Sequence, residues 1–114
     1  MVTLSIKDIK KVPEKYRDKV KEVIEERHGY YSVFFKKYDK PMVMEVIFKQ
    51  TASLFTVSVS LNMKSKKVLS VAEGNEILPV VNSLFSGFKK AVKKQYELEK
   101  KEYLYKRKRK GRKK

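Results

Sequence analysis

The chain has 114 residues, 41% of them hydrophobic, enough for one modest core and too few for a second domain. It contains no cysteine, which excludes disulfides and thiolate metal sites and fits a reducing cytoplasm. With 29 Lys and Arg against 13 Asp and Glu, its net charge of +16 draws in polyanions, RNA or DNA first. An anionic membrane is the weaker partner, because the sequence has no apolar run of about 20 residues, no signal-peptide pattern and no lipidation motif.

The first segment, Val2 to Ile9, alternates Val2, Leu4 and Ile6 with Thr3, Ser5 and Lys7, the pattern of a half-buried strand. Pro13 opens a long polar stretch with apolar positions at Tyr16, Val20, Val23, Ile24, Tyr31, Phe34, Phe35 and Tyr38. These spacings predict an amphipathic helix that begins near Pro13 and keeps its phase across Gly29. The alternative is a helix ending near His28, followed by a short strand through Tyr31 to Phe35. After a turn at Tyr38 to Pro41, Met42, Met44, Val46 and Phe48 occupy alternate positions of a second strand.

Thr51 to Ser53 turns the chain into a third strand, in which Phe55, Val57, Val59, Leu61 and Met63 alternate with Thr56, Ser58, Ser60, Asn62 and Lys64. That alternation predicts one buried and one wet face. Val68 to Glu73 is the next strand, and short connections make the last three an antiparallel meander. Gly74 and Asn75 end the sheet, with Asn75 as the expected N-cap of a second helix. Its apolar stripe is Ile77, Val81, Leu84, Phe85, Phe88 and Val92, and Pro79 points to an irregular first turn or a later start. The expected fold is α+β, ordered β-α-β-β-β-α, with one four-stranded sheet and two helices on one face.

Past Gln95 the sequence alternates in charge, with Tyr96, Tyr103, Leu104 and Tyr105, and can extend the helix beyond the core. The last nine residues, Lys106, Arg107, Lys108, Arg109, Lys110, Gly111, Arg112, Lys113 and Lys114, carry eight cations and no apolar side chain. This composition predicts a flexible basic tail at 106–114 behind a domain at 1–105. Setting the tail's eight charges aside from the net +16 leaves about +8 on the body. The cationic character therefore belongs to the domain as well as to the arm.

Motifs for catalysis are missing. The sequence has no glycine-rich phosphate loop, HExxH or Gly-x-Ser-x-Gly, and its one histidine, His28, is expected at the surface. Asp8, Asp18, Asp39, Glu45, Glu73 and Glu76 form no recognisable nuclease pair, and Glu22, Glu25 and Glu26 suit a solvated helix face beside Lys19, Lys21 and Arg27. The expectation is a protein that is not an enzyme and uses no metal, cofactor or small-molecule substrate.

Basic residues with interleaved aromatics remain. The first helix offers Lys15, Arg17, Lys19, Lys21 and Arg27; the second offers Lys89, Lys90, Lys93, Lys94, Lys100 and Lys101. If the helices pack side by side, their outer rims make one basic groove suited to phosphates. Tyr16, Tyr31, Phe34 and Phe35 are expected in the core, whereas Tyr96, Tyr103 and Tyr105 are the candidates for stacking on bases.

Three local patterns resemble the ribosome hibernation-promoting factors, the family that includes the ribosome-associated inhibitor often called protein Y. Val71-Ala72-Glu73-Gly74, then Asn75-Glu76-Ile77 and the helix through Val81, Leu84, Phe88 and Lys94, is similar to the family's last strand, Ala-Glu-Gly turn and final helix. Lys90 and Lys94 fall on positions that the family fills with Arg or Lys. Pro13 to Val20 is similar to the opening of its first helix, with Arg17 on the basic position, and Tyr38-Asp39-Lys40 is similar to that helix's aromatic-Asp-basic end. The chain departs from the pattern in a longer first helix and at Leu78, Pro79 and Ala91.

The resemblance implies a short-form factor, monomeric when bound, in the mRNA channel of the small ribosomal subunit. It would contact the subunit's rRNA through the basic groove and exclude tRNA and mRNA from idle ribosomes. The alternative is a general RNA-binding or ribosomal protein with a double-stranded-RNA-binding-like fold. Against that alternative, Glu73 and Glu76 stand where such a domain places lysines.

Overall fold

The computed structural model describes the backbone of residues 1–112 and the side chains of residues 1–101. The elements are β1 (Val2–Lys7), a 3-10 turn (Ile9–Lys11), α1 (Glu14–Phe34), β2 (Met42–Thr51), β3 (Leu54–Asn62), β4 (Lys67–Gly74) and α2 (Ile77–Arg112). This is the β-α-β-β-β-α order of an α+β fold. The strands form one sheet in the order β1-β2-β3-β4. β1 is parallel to β2, and α1 is the crossover that a parallel pair requires. β2, β3 and β4 are the antiparallel meander.

Register puts one residue of every two on the covered face. Val2 lies opposite Met42, Leu4 opposite Met44, Met44 opposite Leu61, Val46 opposite Val59 and Phe48 opposite Val57. Most of these side chains are buried, beneath both helices. α1 contributes Val20, Ile24 and Tyr31, with Phe35 just past its end, and α2 contributes Ile77, Val80, Val81, Leu84, Phe85, Phe88 and Val92.

On β4 the covered face reads Val68, Ser70, Ala72, Gly74, opposite Leu61, Val59, Val57 and Phe55. Those small residues let α2 come close to the sheet. A Cβ built on Gly74 would stand 2.9 Å from Val80 Cγ2.

The other face carries Thr3, Ser5, Lys7, Thr56 and Ser58, with an ion pair between Lys7 and Glu45 at 3.1 Å. It also exposes Val43, Leu69 and Val71. Ser60, expected to be wet, is buried, because its cross-strand neighbours Glu45 and Leu69 flank it.

α1 is continuous through Gly29, as its apolar phase predicts. It stops at Phe34, so Tyr38 lies beyond it, and Tyr16 in its first turn is exposed rather than core. His28 is not a free surface residue. Its Nε2–H donates to the Val2 carbonyl at 2.6 Å and ties α1 to the edge of β1.

The second helix enters one residue later than Asn75. Val80 N–H donates to the Glu76 carbonyl at 3.2 Å, which makes Glu76 the cap residue. Pro79 is the third helical residue, where the N–H has no intrahelical partner to lose, so the helix starts at Ile77 without delay. The backbone of α2 stays helical to Arg112, past the 105/106 boundary expected for the tail. The side chains from Lys106 to Lys114, and those of Tyr103 and Tyr105, lie outside the described residues.

The two glycines predict opposite outcomes. A Cβ at Gly29 meets nothing within 4 Å, so Gly29→Ala should raise unfolding stability; the helix-propensity gain is about 0.5–1 kcal/mol. Gly74→Ala presses on Val80 and should lower stability by about 1–3 kcal/mol. Urea unfolding midpoints of the two variants check both signs.

Candidate nucleic-acid interface

At 100° per residue, Lys19, Val23, Arg27, Tyr30 and Phe34 share the flank of α1 that turns toward α2. Phe85, Lys89, Lys93, Tyr96 and Lys100 share the answering flank of α2. Aromatic rings fill the seam between the helices. Tyr31 meets Phe88 edge-on at 5.4 Å between ring centroids, Phe34 meets Tyr96 at 5.1 Å and Phe35 meets Tyr96 at 5.8 Å. Two lysines of α2 lie over rings at this seam: Lys89 Nζ is 5.0 Å from the Tyr30 centroid and Lys100 Nζ is 4.7 Å from that of Tyr96. The seam is a cation-lined ridge of packed aromatics, not an open trough.

This packing redistributes the candidate residues. Tyr31 and Phe35 are core, as expected, but Tyr96 is held among Phe34, Phe35 and Tyr38 and is filler more than platform. Tyr30, which the apolar stripe of α1 does not include, is the exposed ring at the seam.

The cations divide into several groups. Lys89, Lys93 and Lys100 line the seam, with Arg27 across from them on α1. Lys90, Lys94 and Lys101 fall on the other flank of α2, and Lys94 faces a cleft beside β4 that Lys66 and Lys67 also line. On α1, Lys19 pairs with Glu22 at 3.6 Å, Lys15 lies over the ring of its neighbour Tyr16 at 4.9 Å, and Lys21 is on the flank away from α2. The expected single groove with two basic rims is therefore one strong rim on α2 and a weaker one on α1.

Arg17 has a different occupation. Its Nε donates to the Val12 carbonyl at 3.2 Å, and its Nη2 donates to the carbonyls of Val12 at 2.9 Å and Lys10 at 3.3 Å. The guanidinium clamps the 3-10 turn to the first turns of α1. Its position resembles a basic position of the family, yet here much of its donor capacity is spent inside the fold.

A lysine-rich end of the body was not foreseen. Lys37, Lys64 and Lys100 line a cleft of about 540 Å³ with Tyr38, Tyr96 and Glu99. Lys40 donates to the Met63 carbonyl at 3.2 Å, and Lys64 pairs with Asp39. These cations come from the loop after α1, the β3–β4 turn and α2. Sequence spacing within any one segment could not show them together; only the clusters Lys36-Lys37 and Lys66-Lys67 hinted at it.

A polar latch organises the same end. Tyr38 Oη donates to Glu99 Oε1 at 2.7 Å and accepts the Lys64 N–H at 2.8 Å. Ser65 gives its N–H at 3.0 Å and its hydroxyl at 2.5 Å to Glu99 Oε2, and Gln95 Nε2 donates to Ser65 Oγ at 2.6 Å. Partial burial opposes ionisation of Glu99, but the hydrogen bonds from Ser65 and Tyr38 and the Lys64 charge outweigh it. The carboxyl is held below its ordinary value. Burial and the bond to Glu99 push the Tyr38 hydroxyl well above the usual phenol range, so it remains a donor. Both shifts stabilise the same arrangement, a neutral phenol donating to a carboxylate.

Among the described residues the ion pairs are Lys7–Glu45, Lys19–Glu22 and Lys64–Asp39. Lys89, Lys90, Lys93, Lys94, Lys100 and Lys101 have no carboxylate partner among them. No group of three His, Asp or Glu suited to a metal ion occurs among the described residues, and no helix there is long and apolar enough to cross a membrane. No protein-family model matches the chain, and a search of curated proteins finds no match.

The latch makes stability depend on pH. A carboxyl with a lowered folded pKa contributes stability above its unfolded value, about 4.3, and loses it as pH falls through the folded value. Glu99→Gln should therefore flatten the decline of urea stability below about pH 5 relative to the parent chain. Arg17→Ala should cost about 1–2 kcal/mol in the same assay, because it abandons the part-buried Val12 carbonyl and the more exposed Lys10 carbonyl. Lys93→Ala, at an exposed site, should change stability by less than about 0.5 kcal/mol.

Proposed function

We propose that the chain is a ribosome hibernation factor. It docks its basic helices on the rRNA of the small ribosomal subunit, in the decoding region and mRNA channel, and keeps tRNA and mRNA off idle ribosomes. It acts in the cytoplasm, as a monomer on the ribosome, and its work is occupancy rather than catalysis.

The observation that carries this reading is the charge of α2. Six lysines along two of its flanks, with no carboxylate partner among the described residues, stand on a helix of 36 residues. Such a helix spans about 54 Å, far more than covering a sheet of eight- to ten-residue strands requires. Solvated, unpaired ammonium groups suit phosphate contacts, which supply affinity without reading sequence and release counterions on binding. The β-α-β-β-β-α order and the resemblance of the β4–α2 junction and of Tyr38-Asp39-Lys40 direct that affinity toward the small subunit. β1, beside β2 at one edge of the sheet, is an element that the α-β-β-β-α order of a double-stranded-RNA-binding domain lacks.

Sedimentation on a sucrose gradient tests the reading. In lysate from resting cells the protein should travel with small subunits or whole ribosomes; if it stays at the top, the ribosomal assignment is wrong. Reversing Lys89, Lys93 and Lys100 to Glu should release it from ribosomes and restore translation in an extract while the variant still unfolds cooperatively on heating, with a small loss from the two ammonium–ring contacts. With six to eight phosphate contacts, affinity should fall by about three to five orders of magnitude between 50 and 200 mM salt. Removing residues 106–114 should flatten that slope without moving the docking site.

A further inference from the structure

Tyr30 and Val33 do not belong to the core stripe of α1. Taking Ile24 as the centre of that stripe, the helical step puts Tyr30 about 120° and Val33 about 180° away. Val33 is 75% exposed and Tyr30 36% exposed. Gly29 precedes them with open space where a side chain would be. Together they make a small apolar island on a surface that is otherwise charged.

The ring of Tyr30 is held rather than loose. Phe34, one turn on, lies nearly parallel to it at 6.0 Å and 26°, and Tyr31 meets it edge-on at 5.0 Å and 82°. Both supports are themselves fixed, Tyr31 in the core and Phe34 against Tyr96. The ring thus meets a ligand with little conformational freedom left to lose. Tyr16, the other exposed tyrosine of α1, has no such ring partner among the described residues.

Cations stand on one side of the island. Lys89 Nζ is 5.0 Å from the Tyr30 centroid, and Lys93 follows one turn along α2. Glu26, one turn before Tyr30 on α1, puts a negative charge on the other side. An anion linked to a planar apolar group therefore fits in one orientation, with the plane on Tyr30 and the negative group toward α2.

We propose that Tyr30 is a stacking platform for an unpaired nucleotide, with Lys89 and Lys93 receiving its phosphate. An exposed ammonium–ring contact is weaker than a base stacked on an aromatic ring, so a base can displace Lys89 from the ring and free it for the phosphate. Bases inside a duplex present no free face, so this site selects single-stranded or extruded nucleotides. The inference rests on the RNA-binding part of the reading above and adds which form of RNA the helical seam prefers.

The chain has no tryptophan, so Tyr30→Trp introduces a single indole at the platform, whose emission is excited apart from that of the tyrosines. Titration with a single-stranded oligoadenylate of about ten nucleotides should quench it, whereas an RNA duplex of the same length should not. Tyr30→Ala should weaken binding of the single strand by about tenfold or more and leave duplex binding within about twofold; Tyr30→Phe should bind as the parent does. Equal quenching by duplex and single strand, or equal affinities of Tyr30→Ala and the parent for the single strand, overturns the proposal. Sedimentation of the parent chain with ribosomes is a separate readout, so loss of the ribosomal assignment and loss of the platform are told apart.

Discussion

The closeness of α2 to β4 is the constraint from which the rest of the structure follows. Ser70, Ala72 and Gly74 leave the covered face of β4 almost without side-chain bulk, and Val80 fills the space in front of Gly74. With α2 seated low on that side of the sheet, its stripe from Ile77 to Val92 is buried. The other half of the sheet falls to α1, which must cross back from β1 to β2. The two helices then lie close enough for Tyr31 to meet Phe88 and for Phe34 to meet Tyr96. Close packing of this kind transmits small changes in volume, which is why a single methyl group at Gly74 matters.

The same packing sorts the charges. Lysines on the flanks of α2 cannot reach the core and find no carboxylate partner among the described residues; Lys89 and Lys100 lie over aromatic rings instead. Arg17 shows the opposite outcome, with its guanidinium tied to two backbone carbonyls of the turn before α1. At the end of the body, Glu99 collects Tyr38, Ser65 and, through Ser65, Gln95. That latch ties α2 to the β3–β4 turn and to the loop after α1. It sets the direction in which the lysine-bearing helix leaves the sheet, and its strength depends on Glu99 remaining ionised.

Much of the fold was legible in the sequence. Period-two alternation in β2 and β3 identified their buried faces residue by residue, and the 3.6-residue stripe of α2 named its core contacts apart from Val80. The candidate site was less so. The basic character of α2 and the placing of Lys89 with Lys93 and Lys90 with Lys94 on its flanking faces were plain, but the commitment of Arg17, the packing of Tyr96 among other rings and the exposure of Tyr30 were not. Each of these depends on what stands opposite a side chain. Ser60 makes the same point within the sheet: alternation assigned it to the wet face correctly, and Glu45 and Leu69 on neighbouring strands then covered it.

By itself the sequence determined the element order, the phase of α2 and of β1, β2 and β3, the one-residue precision of the β2 and β3 faces and the excess of cations. These are properties of neighbours along the chain, set by backbone periodicity and counted charge. Tertiary structure decided which cations are free, which rings are filler and which lysines of distant segments meet at one end of the body. A side chain's chemistry depends on its partners and its access to water, and those are supplied by residues that can lie far away in sequence, such as Glu99 for Tyr38 or Lys89 for Tyr30.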